Sequence, residues 1–297
     1  MTGGRVITTG CRNNAASIVR AAGVLGILAE ANPERTFLDF RRAEDARSCR
    51  GNDAAALFSL LSKEKIDLAI VDANLVPLNL PQELEIVSAA ERGNPFKVLV
   101  SCDDLILDEK PDDVPIAVTD PASRGQLLYY RPDLLLVDID GEFDDLLSMM
   151  DRGEIGGFVA DASEVEALGL QDRVTEVFTP SICMPSAGQG GLALVARRTD
   201  RKTKQIADSV NHAPSFQEIS LERIFLGELT RDGRGPVCVL CNVDGEAFQI
   251  SAVVAAPDGS EKVSGLMHGF AGREREVSAK LARYLLDSGA DRLMGKC

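Results

Sequence analysis

The feature that most constrains the fold is a pair of similar stretches in which short apolar segments alternate with longer helical ones. In the first stretch, strands are predicted at residues 5–9, 36–40 and 66–71, with helices at 15–31 and 54–62. In the second, strands are predicted at 116–119, 134–139 and 156–160, with helices at 121–130 and 143–150. Alternation of this kind is typical of the α/β class. Two such units predict two lobes with a ligand cleft between them.

A third section of the chain has a different order of elements. A helix at 222–229 precedes strands at 237–242 and 248–256, and Pro257-Asp258-Gly259 is typical of a turn that leads into another strand. A closing helix is predicted at 275–288. This order predicts a small αβ domain that is separate from the two lobes.

The charge balance excludes one broad class of function. The 297 residues include 46 acidic and 32 basic side chains, which gives a net charge of −14, and no basic stripe is visible. Nucleic acid is therefore not expected as a partner. No apolar run approaches the roughly 18 residues that a membrane span needs, and the first residues show no signal-peptide pattern. We expect a cytoplasmic protein without a membrane partner.

The cysteines favour a structural role. Seven of them are scattered along the chain, an odd number that does not suit a secreted disulfide framework. Cys238 and Cys241 form a CxxC motif inside a predicted strand, where positions three apart face opposite sides. Since the chain has only two histidines, no zinc site is expected there. We interpret this pair as buried and structural.

The order and spacing of many short motifs resemble the hydroxymethylbilane synthase (porphobilinogen deaminase) family almost from end to end. The matching stretches are 76–77, 91–101, 126–128, 131–134, 137–138 with Gly141, 168–170, 172–173, 185–194, 211–212, 222–223 and 256–260. The resemblance implies two periplasmic-binding-protein-like lobes and a small C-terminal αβ domain. It implies boundaries of 1–98 with 195–213 for lobe 1, 99–194 for lobe 2, and 214–297 for the C-terminal domain.

The resemblance also implies a reaction and a cofactor. The family joins four porphobilinogen units head to tail with loss of ammonia, starting from a dipyrromethane that is bound by a thioether to a cysteine of the third domain. Counting from Glu222-Arg223, the position of that cysteine is Gly233. Glycine offers no sulfur, so from the sequence we expect no dipyrromethane cofactor.

The family's catalytic carboxylate has no counterpart at the matching position. Anchored on Val76-Pro77, the family's lysine becomes Asn74 and its aspartate becomes Leu75. Leucine can neither transfer a proton nor balance a positive charge. Asp72 lies three residues earlier, and the alternation of side chains along a strand predicts that it points away from Leu75. No catalytic residue is therefore predicted at the family positions Leu75 and Gly233.

The cations that the family uses for substrate carboxylates are replaced as well. Its first arginine becomes Gly10, although Arg12 is close by, and two others become Ala122 and Ser123, with Arg124 one place out of register. Asp120 is predicted to cap a helix N-terminus that could otherwise bind an anion. We expect a cleft that is neutral or negative. Its candidate residues are Arg12, Asp72, Asn74, Asp120, Ser123, Arg124, Asp140 and Gln189.

Three functions remain open from the sequence. The leading hypothesis is a family member that has lost deaminase activity and binds another small molecule in the cleft, or a protein partner. The second is a working deaminase with relocated groups, using Asp72 and the thiol of Cys238 or Cys11. The third is a new enzyme in which Asp120 and Asp140 act as acid–base groups or bind a hard cation.

Overall fold

The computed structural model describes residues 6–39, 53–230 and 235–295. The chain divides into two compact units, Met1–Gly93 with Gly190–Gln217, and Asn94–Gln189 with Glu218–Cys297. Its mixed α/β architecture, with two lobe-type sheets and a separate small C-terminal sheet, confirms the predicted fold class.

The described ranges contain thirteen strands and nine α-helices. The strands are β1 (Val6–Gly10), β2 (Thr36–Asp39), β3 (Leu68–Asp72), β4 (Leu84–Ala89), β5 (Lys97–Ser101), β6 (Ile116–Val118), β7 (Leu136–Asp138), β8 (Gly157–Asp161), β9 (Val174–Val177), β10 (Leu192–Arg197), β11 (Val237–Asp244), β12 (Ala247–Ala255) and β13 (Lys262–Phe270). The helices are α1 (Ala15–Ala31), α2 (Asp53–Ser62), α3 (Pro121–Tyr130), α4 (Phe143–Asp151), α5 (Ala162–Leu168), α6 (Arg201–Ala207), α7 (Ala213–Leu229), α8 (Glu274–Asp287) and α9 (Ala290–Met294).

The two lobe sheets share one topology. The first has the order β2-β1-β3-β10-β4, and the second has the order β7-β6-β8-β5-β9. In each, three parallel strands are followed by one antiparallel strand, β10 in the first sheet and β5 in the second. In the chain, β5 follows directly after β4 of the first sheet, and β10 follows β9 of the second sheet. The shared topology accounts for the similar order of predicted elements in the two stretches.

Local signals explain where the lobe helices begin. The side chain of Asn14 accepts the Ser17 N–H at 2.8 Å and so caps α1. Asp120 caps α3 in the same way, through the Ser123 N–H, and Pro121 occupies the first helical position, where a missing N–H costs nothing.

The third sheet is an antiparallel meander of β11, β12 and β13. One of its faces packs on α7, α8 and α9 around a buried core that includes Phe225, Ile250, Leu281 and Leu285. Its other face contacts the second lobe through Ala122, Met184, Cys238 and Val253. The second lobe and the C-terminal sheet therefore belong to one unit. No helix in the described ranges is both long and apolar enough to cross a membrane.

Gly125 is required where α3 meets the C-terminal sheet. A Cβ at this position would lie 2.4 Å from the backbone oxygen of Ala256. Such a contact is too short, and a backbone atom cannot easily move away to relieve it. We expect Gly125→Ala to lower the free energy of unfolding by about 1–3 kcal/mol because it overpacks this contact. Urea denaturation measures the change.

Gly26→Ala is the matched control, since a Cβ at Gly26 in α1 meets nothing within 4 Å. This variant should be neutral or more stable by about 0.5–1 kcal/mol, because alanine favours a helix interior. Equal effects of the two substitutions would contradict the close approach of α3 to residue 256.

Candidate functional site

The carboxyl ends of the parallel strands of the second lobe meet at one edge of the sheet. Asp120 follows β6, Asp138 ends β7 and Asp161 ends β8. The antiparallel strand β5 begins at this same edge with Lys97, which pairs with Asp161 in the sheet register. In open α/β sheets, ligands bind at this edge. The charged groups gathered there define the candidate site of the second lobe.

Lys97 lies between two of these carboxylates. Its Nζ is 2.8 Å from Oδ1 of Asp161 and 3.1 Å from Oδ2 of Asp120, and its side chain is only 10% exposed. Burial by itself lowers the pKa of Lys97, but the charges of Asp120 and Asp161 raise it well above its ordinary value. The lysine is therefore a permanent cation that the protein's own carboxylates neutralise.

Asp120 is bound from two sides. One carboxylate oxygen accepts the Ser123 N–H at 2.7 Å at the start of α3, and the other accepts from Lys97. Burial tends to raise the pKa of Asp120, but the Lys97 charge and the hydrogen bonds from Ser123 hold it below its ordinary value. The N-terminus of α3 is thus occupied by an anion of the protein itself.

The other second-lobe candidates lie apart from this cluster. Arg124 donates to the backbone oxygen of Leu136 at 2.9 Å and lies 3.5 Å from Asp138, whereas Asp140 is exposed. Among the described residues, no three His, Cys, Asp or Glu side chains come together as a metal site would require. The hard-cation hypothesis for Asp120 and Asp140 has no support from this geometry.

In the first lobe, Asp72 at the end of β3 is also paired internally. It accepts a short hydrogen bond from Arg20 of α1 and another from the Ser17 hydroxyl at 3.0 Å, while Arg12 lies 4.0 Å away. Arg20 also donates to the backbone oxygen of Gly190 at 2.7 Å. Arg12 and Asp72 were predicted as cleft residues from the sequence, whereas Arg20 and Ser17, on the helix face that packs over the end of β3, were not.

Side-chain alternation along a strand does not relate Asp72 to Leu75, because the strand ends before Leu75. β3 ends at Asp72, and residues 73–75 form a turn of 3-10 helix. Leu75 is 36% exposed and Asn74 is half-buried. Leu75, which the resemblance places at the family's carboxylate position, is thus a solvent-accessible apolar side chain.

The thiols considered as replacement groups are buried. Cys238 and Cys241 lie on opposite faces of β11, each 2% exposed, and Cys11 is 9% exposed. Gln126 donates to the sulfur of Cys238 at 3.3 Å, and burial raises the pKa of that thiol. These are the properties of structural cysteines, not of reactive ones.

Gln189 and Gly233 complete the predicted set. Gln189 is fully buried; it donates to the backbone oxygen of Pro95 at 2.7 Å and accepts the Ser186 N–H at 3.1 Å. These hydrogen bonds hold the turn before β10. Gly233 lies outside the described residues.

Comparison with known proteins decides the family. The model of the porphobilinogen deaminase family, for its dipyrromethane cofactor-binding domain, matches residues 51–205. The chain belongs to this family. It is 28% identical to the porphobilinogen deaminase of Thermus thermophilus over 98% of this chain and 99% of the relative. It is 31% identical to that of Syntrophomonas wolfei over 76% of this chain and 74% of the relative.

Solved structures with a similar fold are more distant in sequence. A periplasmic substrate-binding protein of an ABC transporter from Coxiella burnetii is 11% identical, with a TM-score of 0.45, covering 73% of this chain and 96% of that one. A lipoprotein of the YaeC family from Enterococcus faecalis is 11% identical, with a TM-score of 0.45, covering 70% and 92%.

The family match corrects the prediction about the cofactor. The matched domain is described as the one that binds dipyrromethane, so membership of the family points to this cofactor and the expectation of none is contradicted. Neither buried thiol of the C-terminal sheet, Cys238 or Cys241, fits a thioether to such a group.

Removing the cation of the second-lobe cluster tests its role. Lys97→Met should lower the free energy of unfolding by about 3 kcal/mol, because it leaves Asp120 and Asp161 close together without a counter-charge. Urea denaturation at pH 7 measures this. The control is Lys280→Met, whose ion pair with Glu276 is exposed and should contribute nothing measurable. A Lys97→Met variant as stable as that control would contradict the assignment.

Proposed function

We propose that this protein has kept the porphobilinogen deaminase scaffold but does not polymerise porphobilinogen. The observation that carries the proposal is the closed charge cluster of Lys97, Asp120 and Asp161. Porphobilinogen carries two carboxylates, and an incoming carboxylate needs a cation or a helix N-terminus to replace its water. In the second lobe, Asp120 already binds both the cation Lys97 and the N-terminus of α3.

The first lobe supports the same conclusion from the chemical side. Loss of ammonia needs a carboxylate that can assist proton transfer and stabilise the cationic intermediate. The matching side chain, Leu75, has no ionisable group, and the nearest carboxylate in the sequence, Asp72, is bound to Arg20 and Ser17. A carboxylate that already balances an arginine is poorly placed to balance a developing charge on a substrate.

A ligand for this scaffold would carry less negative charge than porphobilinogen. At this edge of the second lobe, Asp120 and Asp161 neutralise the buried cation Lys97, while Asp138 and Asp140, at and after the end of β7, are exposed. This charge balance favours a neutral or cationic small molecule over a polycarboxylate. Composition also supports a cytoplasmic location, which we retain as part of the proposal.

A working deaminase with relocated groups is the second candidate, and the surroundings of Asp72 favour it. Arg12 and Arg20 both lie near this carboxylate, one short turn before Leu75. A substrate carboxylate that replaced Asp72 on these arginines would free Asp72 for proton transfer. This candidate requires ammonia release that depends on Asp72.

Ammonia release from porphobilinogen separates the two candidates. We expect the full chain to release no ammonia above a protein-free control, whereas the Thermus thermophilus relative serves as the positive control. The same incubation should yield no pyrrole chain by mass spectrometry. Ammonia release by the wild type that disappears in Asp72→Asn would overturn the proposal and establish the second candidate.

A further inference from the structure

The outer strand of the C-terminal sheet, β13, is exposed to pairing along its whole length. It has nine residues, pairs with β12 alone among the described strands, and shows no break in register. Its sequence contains no proline, and Lys262 at its first position is its only charged residue. Soluble proteins usually protect such an edge with charges, prolines or bulges. β13 lacks these protections.

The hydrogen bonds at the two ends of this hairpin show which backbone groups are available. The Ala256 N–H donates to Glu261 at 2.9 Å, and the Ala271 N–H donates to Glu246 at 2.7 Å. Because hydrogen-bonded pairs alternate in an antiparallel ladder, the odd-numbered residues from 261 to 271 bond to β12. The N–H and C=O groups of Ser264, Leu266 and His268 therefore point away from the sheet, where an added strand would bind them.

Apolar side chains surround this edge. Leu266 is 52% exposed and Phe270 is 67% exposed on β13, and Tyr284 of α8, which is 51% exposed, lies beside Gly265. A groove of about 640 Å³ follows the strand and lies entirely within the second unit. Its apolar lining comes from Pro180, Met184, Val253, Leu266, Met267 and Tyr284. A contiguous apolar surface of this kind marks an interaction site.

The charge around the groove differs from that of the protein as a whole. Three cations and two carboxylates line it and the adjoining face of α8: Lys262, Lys280, Arg283, Glu276 and Asp287. Glu276 is already matched by Arg273 and Lys280. Although the chain has a net charge of −14, the charged side chain that lines the groove itself is the cation Lys262, which complements an acidic partner.

We propose that β13 docks an extended peptide segment of another protein, which adds a strand to the sheet and carries apolar residues flanked by acidic ones. Its backbone would bind the outward groups of Ser264, Leu266 and His268, and its alternate side chains would enter the groove. Lys262 lies at one end, 4.7 Å from the Tyr129 ring centre, where an acidic residue of the peptide would meet it. This proposal does not depend on the function proposed above.

A second copy of this chain fits the edge less well. Leu281 and Tyr284 lie beside the centre of β13, because a Cβ on Gly265 would be 2.7 Å and 3.1 Å from their side chains. If β13 paired with β13 of a second copy about a two-fold axis at Leu266, this part of α8 would therefore approach the same part of α8 in the other copy. Lys280 and Arg283 of the two copies would then face one another, and like charges oppose that pairing.

The test begins with a phage-displayed library of linear peptides, selected on the full chain. We expect enriched sequences in which apolar residues alternate and acidic residues flank them. Binding of a synthetic enriched peptide, measured by fluorescence anisotropy, should weaken by about 10-fold or more in Leu266→Asp and in Ser264→Pro. Proline removes one outward N–H of the edge strand and leaves the ladder to β12 intact.

Two matched variants control for general effects. Ser264→Ala keeps the N–H, and Ile27→Asp places the same charge on an apolar side chain of α1 that is also 52% exposed. Both should bind the peptide as the wild type does. The proposal is overturned if no peptide is enriched, or if Leu266→Asp binds as tightly as Ile27→Asp. A wild-type dimer in sedimentation equilibrium that Leu266→Asp dissociates would assign the edge to a second copy instead.

Discussion

The ion pairs of Lys97 are the interaction on which the properties of the second lobe depend. A lysine at the start of a buried strand can remain charged only if carboxylates surround it, and Asp120 and Asp161 supply them from the ends of two neighbouring strands. Through Asp120 the same cluster caps α3. One buried cation thus stabilises the sheet edge and the helix start, and it leaves the usual anion site of such a lobe occupied.

The first lobe reaches a similar result with different residues. Arg20 reaches from α1 to Asp72 at the end of β3 and also binds the backbone oxygen of Gly190. In both lobes, a charge that could serve a ligand is bound by an opposite charge of the protein. The scaffold of the family is therefore retained, while the charges at the two strand ends are satisfied internally.

Much of the fold could be predicted because its signals are local. Asp120 was predicted to cap a helix and does cap α3, and α1 and α3 span the predicted residues 15–31 and 121–130. β5 and β10 were not predicted, since each is a buried strand that joins its sheet from a distant part of the sequence. Lys97 was missed for the same reason. Its only signal was a single charge before an apolar run, and its partners lie 23 and 64 residues away in the chain.

Isothermal titration of the full chain with porphobilinogen tests the central claim most directly, because it measures binding without requiring turnover. Internal neutralisation of Lys97 and Asp72 predicts no saturable heat of binding at pH 7, whereas the Thermus thermophilus relative should bind under the same conditions. A saturable isotherm for the wild-type chain would contradict the account, since it would show that the two lobes still provide cations for the substrate's carboxylates.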